Sequence, residues 1–349
     1  MVEDVSIPVA VLGASGYSGG ELLRLAVRHR NIKITALSAE QHAGQSLGEV
    51  FPHLDGLDLP KLEKINDLNW GDVMAVFCCL PHGTTQEIVK SLPDNIKVID
   101  LSADFRLSDI NIYAHWYGRQ HLAPKLQETA VYALTELRRD EIRKCRIAAC
   151  PGCYPTTALL PLVPLLSARQ IDPDGIIIDA KSGVSGAGRA AKQATLFTEV
   201  SEGIHAYGLD GHRHGPEIDQ ELTLAASRSI TAYFTPHLVP MNRGILATIY
   251  VKLADGVTAD DLRITLQKQY SDEPFVRILQ RGLSPATRHV IGSNQCVIGI
   301  FGDRIPGQAI LLSVTDNLVK GAAGQAIQNF NLMFNLGETT ALEQLPIFP

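Results

Sequence analysis

The chain has 349 residues, 45% of them hydrophobic and 19% charged, with a formal net charge of −6 and a pI near 6.0. That length accommodates two domains, the composition is too apolar for disorder, and the charge offers no basic footprint for nucleic acid. MVEDVSIPVAVLG carries acids where a secretory leader carries Lys or Arg, and no apolar run reaches the roughly 18–20 residues that cross a bilayer. Six cysteines, two of them adjacent in AVFCCL, do not suggest a disulfide framework. A cytoplasmic protein acting on a small molecule, without membrane or nucleic-acid partners, is the expectation.

In chain order, Ile7–Leu12 (IPVAVL) is a short β-branched run, and GASGYSGGELLRLAVRH continues it as a glycine turn opening a helix. IKITALSA, VMAVFCCLP and KVIDLSAD follow, each apolar enough for a strand buried on both faces, with helical or loop segments between. This βαβ alternation predicts a doubly wound, Rossmann-type parallel sheet. Gly13, Gly16 and Gly19 are spaced G-x-x-G-x-x-G and not G-x-G-x-x-G. The physics is the same: small residues let the backbone turn sharply, and the N–H groups opening the helix face a pyrophosphate. The second strand ends in Leu37-Ser38-Ala39-Glu40. Ser38 suits a 2′-phosphate and Glu40 a ribose hydroxyl, so these residues alone leave NADP and NAD open.

From about residue 150 the texture changes. A strand at Ile176–Asp179 leads into the Gly/Ser-rich SGVSGAGR, and AYFTPHLVPMNRGILATIYVKL, HVIGSNQCVIGIFG and AILLSVTDN supply further strands around a helix in DDLRITLQKQY. This predicts an α+β catalytic domain with a mostly antiparallel sheet. The amphipathic stretch 317–332 returns to helix and suits packing on the first domain, while ETTALEQLPIFP reads as a surface extension. The expected division is 1–150 with 317–349 for dinucleotide binding, and 151–316 for catalysis and oligomerisation.

The stretch CPGCYPT at 150–156 admits a redox dithiol, half a zinc site, two inert buried thiols, or one reactive cysteine. A zinc site requires a second ligand pair, which HRH at 212–214 supplies weakly, and a dithiol belongs near the start of a thioredoxin-like unit. The single-nucleophile reading explains more. RIAAC is a strand, Pro151-Gly152 a turn, and a helix starts near Tyr154, so Cys153 falls at a positive helix end that favours thiolate. Pro155 fits the first helical turn and Cys150 stays in the strand as a bystander. No metal is expected. The stretch from Tyr207 to Ile218 gathers two histidines, an arginine and a glutamate in a glycine-rich loop ahead of a helix. Arg106, in LSADFR at the end of a parallel strand, is either a bidentate phosphate clamp or a surface ion pair with Asp104 or Asp109.

GASGYSG, LPHG at 80–83, LSADFR at 101–106, PGCYPT at 151–156, SGVSGAGR at 182–189, HRHGPEI at 212–218 and KGAAGQAIQN at 320–329 occur in this order. Together they resemble the N-acetyl-gamma-glutamyl-phosphate reductases, relatives of aspartate-semialdehyde dehydrogenase, over essentially the whole chain. The resemblance implies NADPH-dependent reductive dephosphorylation of N-acetylglutamyl 5-phosphate to the 5-semialdehyde through a cysteine thioester, in a homo-oligomer (dimer or tetramer). It makes Cys153 the nucleophile and His212 an acid/base of near-neutral pKa that also favours the thiolate. His214, Glu217 and Tyr207 become substrate-site groups, and Arg106 binds phosphate. Gly13, Ser15, Gly16, Ser38, Pro81, His82, Ser185, Gly186 and Asn317 contact NADP(H). VYALTEL at 131–137 departs from the family's YGLPEL-like string. A reductase of an aminoadipyl phosphate and a non-catalytic NADP-binding regulator are the alternatives.

Overall fold

The computed structural model describes residues 6–348. The chain divides into two compact units, one of Met1–Pro151 with Ala322–Glu343 and one of Gly152–Gly321 with Gln344–Pro349. In the first, β1 (Ile7–Leu12), β2 (Ile32–Ser38), β3 (Leu62–Glu63), β4 (Ala75–Cys78), β5 (Lys97–Asp100), β6 (Val131–Tyr132) and β7 (Ile147–Ala149) form one sheet ordered β3-β2-β1-β4-β5-β7-β6. All its pairs are parallel. Strand order reverses at β1, so the carboxyl ends of β1 and β4 flank the crevice where doubly wound sheets take ligands. Burial of β4 throughout and of all but one residue of β1 explains why these strands are continuous apolar runs and not alternating ones.

The glycines are fixed by this geometry. Gly13 leaves β1 with φ +78°, and a Cβ there would lie 2.4 Å from the carbonyl oxygen of Cys79. A Cβ on Gly19 would lie 2.5 Å from the Gly13 oxygen, so helix Tyr17–Ala26 packs directly on the turn. Gly13→Ala therefore meets a backbone collision and an unfavourable dihedral together. It is expected to lower the unfolding free energy by about 2 kcal/mol or more, read from denaturant midpoints.

VYALTEL becomes edge strand β6 and the start of helix Thr135–Lys144, and Ala133 N–H extends the ladder to the Ala149 carbonyl at 2.8 Å. The closing stretch is a π-helical turn, Val319–Ala323, followed by helix Gly324–Met333. Every residue of that helix is buried, which corrects the expectation of a one-sided amphipathic helix. Its amides meet internal partners instead. Asn329 donates to the Ala133 carbonyl and accepts from the Thr135 hydroxyl, and Asn331 pairs with His29 at 2.7 Å.

The second unit holds β8 (Ile177–Gly183), β9 (His205–Ala206), β10 (Tyr233–Val239), β11 (Ile245–Lys252), β12 (Val276–Ile278), β13 (Cys296–Gly302) and β14 (Gln308–Thr315), ordered β12-β13-β14-β11-β8-β10-β9. The pairs β8–β10 and β12–β13 are parallel and the others antiparallel. Helices Cys153–Ser167, Gly215–Ala226 and Ala259–Gln269 belong to this unit. The first survives two internal prolines. Pro164 has no N–H for the Leu160 carbonyl, and the Tyr270 hydroxyl donates to it at 2.6 Å instead. From Gln344 the tail groups with this unit, where the sequence had grouped all of 317–349 with the first; Ile347 N–H donates to the Ile291 carbonyl at 2.9 Å.

Candidate active site

Cys153 opens helix Cys153–Ser167, with Gly152 as N-cap in extended conformation (φ −67°, ψ 157°) and no side-chain cap. Thr156 N–H closes the first turn onto the Gly152 carbonyl at 2.9 Å, and Pro155 sits within it. The half-buried thiol thus lies at the N-terminal, positive end of a fifteen-residue helix that has no acid in its own first turn. Cys150 is its opposite. It is 1% exposed, burial pushes its thiol up to about 12, and its sulfur accepts from the Asn329 amide at 3.6 Å. None of the six cysteines is in a disulfide. Among the described residues no group of three or more His, Cys, Asp or Glu side chains is arranged to hold a metal ion.

His212 stands in an aromatic box. Its ring centroid is 5.4 Å from Tyr207, 5.4 Å from Phe234, 5.8 Å from Tyr154 and 4.8 Å from His214. Burial there, aided by the neighbouring Arg213 charge, pushes its pKa down to about 4, which corrects the near-neutral value expected. The tautomer is fixed as well. Nδ1 accepts the His214 backbone N–H at 3.0 Å, so the neutral ring carries its proton on Nε2. The Tyr207 hydroxyl donates to that of Tyr154 at 3.1 Å, which donates to the His237 carbonyl at 3.2 Å.

Helix Gly215–Ala226 starts just beyond His214. Glu217, in its first turn and 1% exposed, accepts the Gly152 N–H at 2.7 Å. A Cβ on Gly152 would fall 2.4 Å from His214 Nε2, so that ring lies directly against the turn before the thiol. The unit therefore gathers Cys153, His212, His214, Glu217 and Tyr207 around one turn. Tyr154 and Phe234 complete the box, and sequence reasoning did not single them out. Tyr154 adjoins the nucleophile, but nothing local signals Phe234, which sits on β10. Elsewhere in the unit, Asn317 accepts the Gly244 N–H at 2.8 Å and donates to the Ser185 hydroxyl at 2.9 Å, beside Gly186.

In the first unit, Gly16 caps helix Tyr17–Ala26 without a side-chain bond and no acid occupies the first turn. With Gly13 and Ser15 alongside, the turn fits a pyrophosphate by shape and sign of charge. Ser38 is 1% exposed and its hydroxyl accepts the Gly13 N–H at 3.3 Å, so it faces the glycine turn. Glu40 accepts the Ile65 N–H at 3.0 Å. His82 accepts the Ala103 N–H at 3.1 Å, next to exposed Pro81. Asp104 holds the same loop through the N–H groups of Gly83 and Thr85 at 2.6 and 2.9 Å. Burial and adjoining Asp104 push Asp100, at the start of this motif, up to about 7. Arg106 is 5% exposed, with Nε donating to the Cys150 carbonyl at 2.7 Å and a terminal nitrogen to the Leu101 carbonyl at 2.9 Å. It is not a surface ion pair, and one edge of its planar fork is engaged with the chain.

Residues 8–145 match a family model described as semialdehyde dehydrogenase, NAD binding domain, and residues 153–317 one described as semialdehyde dehydrogenase, dimerisation domain. The chain is 57% identical over 343 residues to a protein of Oryza sativa subsp. japonica named probable N-acetyl-gamma-glutamyl-phosphate reductase, chloroplastic, covering 98% of this chain and 83% of that one. It is 56% identical over 348 residues to N-acetyl-gamma-glutamyl-phosphate reductase of Rhodospirillum rubrum, covering 98% and 99%. Among solved structures, aspartate semialdehyde dehydrogenase II of Vibrio cholerae has a TM-score of 0.70 at 18% identity, with 95% of this chain and 99% of that one covered. The Candida albicans aspartate semialdehyde dehydrogenase with NADP has a TM-score of 0.67 at 14% identity, covering 94% and 98%. At such identities the solved structures bear on the fold alone.

Proposed function

Because the chain belongs to the N-acetyl-gamma-glutamyl-phosphate reductase family, we propose that it converts N-acetylglutamyl 5-phosphate to N-acetylglutamate 5-semialdehyde, consuming NADPH and releasing phosphate, in arginine biosynthesis. The observation that carries the chemistry is a half-buried thiol at a helix N-terminus, on a turn held by Glu217 of the helix that follows the loop of a neutral, boxed imidazole.

An acyl phosphate is activated, but it must be held as an acyl group while it is reduced, and a thioester does this. The Cys153 thiolate forms the C–S bond as the C–O bond to phosphate breaks. NADPH, when bound, supplies the hydride that reduces the thioester. His212 presents Nε2–H to the oxyanion of the tetrahedral thiohemiacetal, as a neutral donor whose lowered pKa keeps it uncharged. Collapse of that oxyanion expels the Cys153 thiolate and forms the aldehyde.

The preference for NADPH rests on Glu40, whose carboxylate is tied to the Ile65 N–H and not held in reserve for a ribose diol. The test is reverse turnover of N-acetylglutamate semialdehyde with phosphate. NADP is expected to give the higher kcat/KM, and a clear advantage for NAD would return the ribose role to Glu40. No turnover with either cofactor would sink the substrate assignment.

We also propose a homodimer built on the open face of the second sheet. There Tyr233, Ile177 and Tyr250 lie side by side across β10, β8 and β11, and Tyr233 is 67% exposed. The family model matched over this region is described as a dimerisation domain. Tyr233→Glu is expected to shift the sedimentation coefficient toward monomer; an unchanged value would place the interface elsewhere. Among the described residues no helix is long and apolar enough to cross a membrane. Six thiols, none of them in a disulfide, suit a reducing compartment such as the cytoplasm.

A further inference from the structure

We propose that Glu217 is the positioning residue of the nucleophile, acting through the main-chain N–H of Gly152 and not through the substrate. This rests on Cys153 being the nucleophile. Three elements meet at the two residues that set the thiol's direction. Glu217, 1% exposed, accepts the Gly152 N–H at 2.7 Å, a short bond for an N–H donor. The His214 ring closes on the Gly152 Cα, leaving no room for a side chain there. On the other side, a Cβ on Gly321 would lie 2.7 Å from Cys153 Cβ and 3.2 Å from its Cα, so the Gly321 backbone abuts the cysteine directly.

Gly152 is the N-cap, and no side chain of its own helix caps it. Its orientation fixes where the first residue of the helix projects, and that residue is Cys153. A glycine in this position has the greatest backbone freedom to lose, so it is the point where an outside anchor has most effect. Gly152 needs to be glycine for steric reasons and not for its dihedral, since φ −67° suits any residue. Glutamate beside a thiolate is electrostatically unfavourable, so the negative charge is not what recommends it. The carbonyl-type oxygen that receives the N–H is. His214 and Glu217 are three residues apart, across the start of one helix. The loop that carries His212 and the turn that carries Cys153 are therefore fixed to each other through Gly152.

The experiment compares Glu217→Ala and Glu217→Gln in the full chain, reading steady-state kinetics and iodoacetamide alkylation of Cys153 in the substrate-free protein by mass spectrometry. In Glu217→Ala, kcat is expected to fall ~100-fold with KM little changed, because a displacement near 1 Å costs that much. The alkylation rate at fixed pH is expected to change with it. Glu217→Gln keeps an acceptor oxygen and should recover most of kcat and the wild-type alkylation rate. A rise in KM for Glu217→Ala with unaltered alkylation would make Glu217 a substrate contact and overturn the proposal. Equal loss in both variants would overturn it too, since only the charge or the proton would then matter. If Glu217→Ala does not fold, Glu217→Gln still decides: loss of kcat there defeats the idea. Alkylation of Cys153 that leaves turnover intact would instead show that Cys153 is not the nucleophile, which separates failure of the underlying reading from failure of this one.

Discussion

Cys153→Ser is expected to reduce turnover by roughly four orders of magnitude or more, whereas Cys150→Ser keeps most of it. The cause is the difference between two thiols three residues apart in the chain. At the helix end the thiolate is stabilised, and an alcohol in the same place stays protonated and is a poor nucleophile at neutral pH. Cys150 is 1% exposed with its thiol pushed up to about 12, so it has no thiolate to contribute. Its replacement should show in stability, since a hydroxyl would be buried beside the Asn329 amide. Equal loss of activity in both variants, or stoichiometric zinc in the purified protein, would restore the dithiol or zinc-site reading of CPGCYPT.

His212→Ala is expected to lower kcat about 10²–10³-fold, the typical cost of deleting one donor to an oxyanion. His212→Asn, which still offers an N–H, should lose less. The pH dependence separates this role from that of a base. With its pKa down at about 4, His212 does not titrate near the ordinary 6.5, so log kcat/KM should show no break there. The sign follows directly: activity falls as pH drops because Cys153 takes up a proton, not because His212 does. Neutral imidazole contributes no charge to the thiolate, so the alkylation midpoint of Cys153 should stay below the free value of about 8.5 and be unmoved by His212→Asn. A midpoint that rises in His212→Asn, or a break near 6.5 that vanishes with it, would show an imidazolium–thiolate pair and defeat the neutral-donor role.

By itself, the sequence determined which classes of element occur and where the reactive atoms sit along the chain. Apolar runs such as IPVAVL and AVFC announced strands buried on both faces, because burial on both sides removes the need for alternation. Pro155 two residues past Cys153 announced a helix start, because a first turn does not need that N–H. These are local signals, set by neighbours within a few residues. Partners far apart in sequence were decided only by the tertiary structure. Nothing near His212 indicated that Phe234 and Tyr154 would join Tyr207 in enclosing it and hold it neutral. Ser38 suited a 2′-phosphate by its hydroxyl; only the fold showed that this hydroxyl also accepts the Gly13 N–H, with Ser38 paired to the end of β1. Arg106 read as a phosphate clamp or a surface ion pair, and the fold buries it with its guanidinium also holding the carbonyls of Leu101 and Cys150. The stretch 317–332 read as amphipathic, but buried partners claim the amides of Asn329 and Asn331. In each case the side chain's chemistry was legible, but its use was set by which unsatisfied donor or acceptor the fold brought within about 3 Å, because a buried polar group left unpaired costs more than its bond returns.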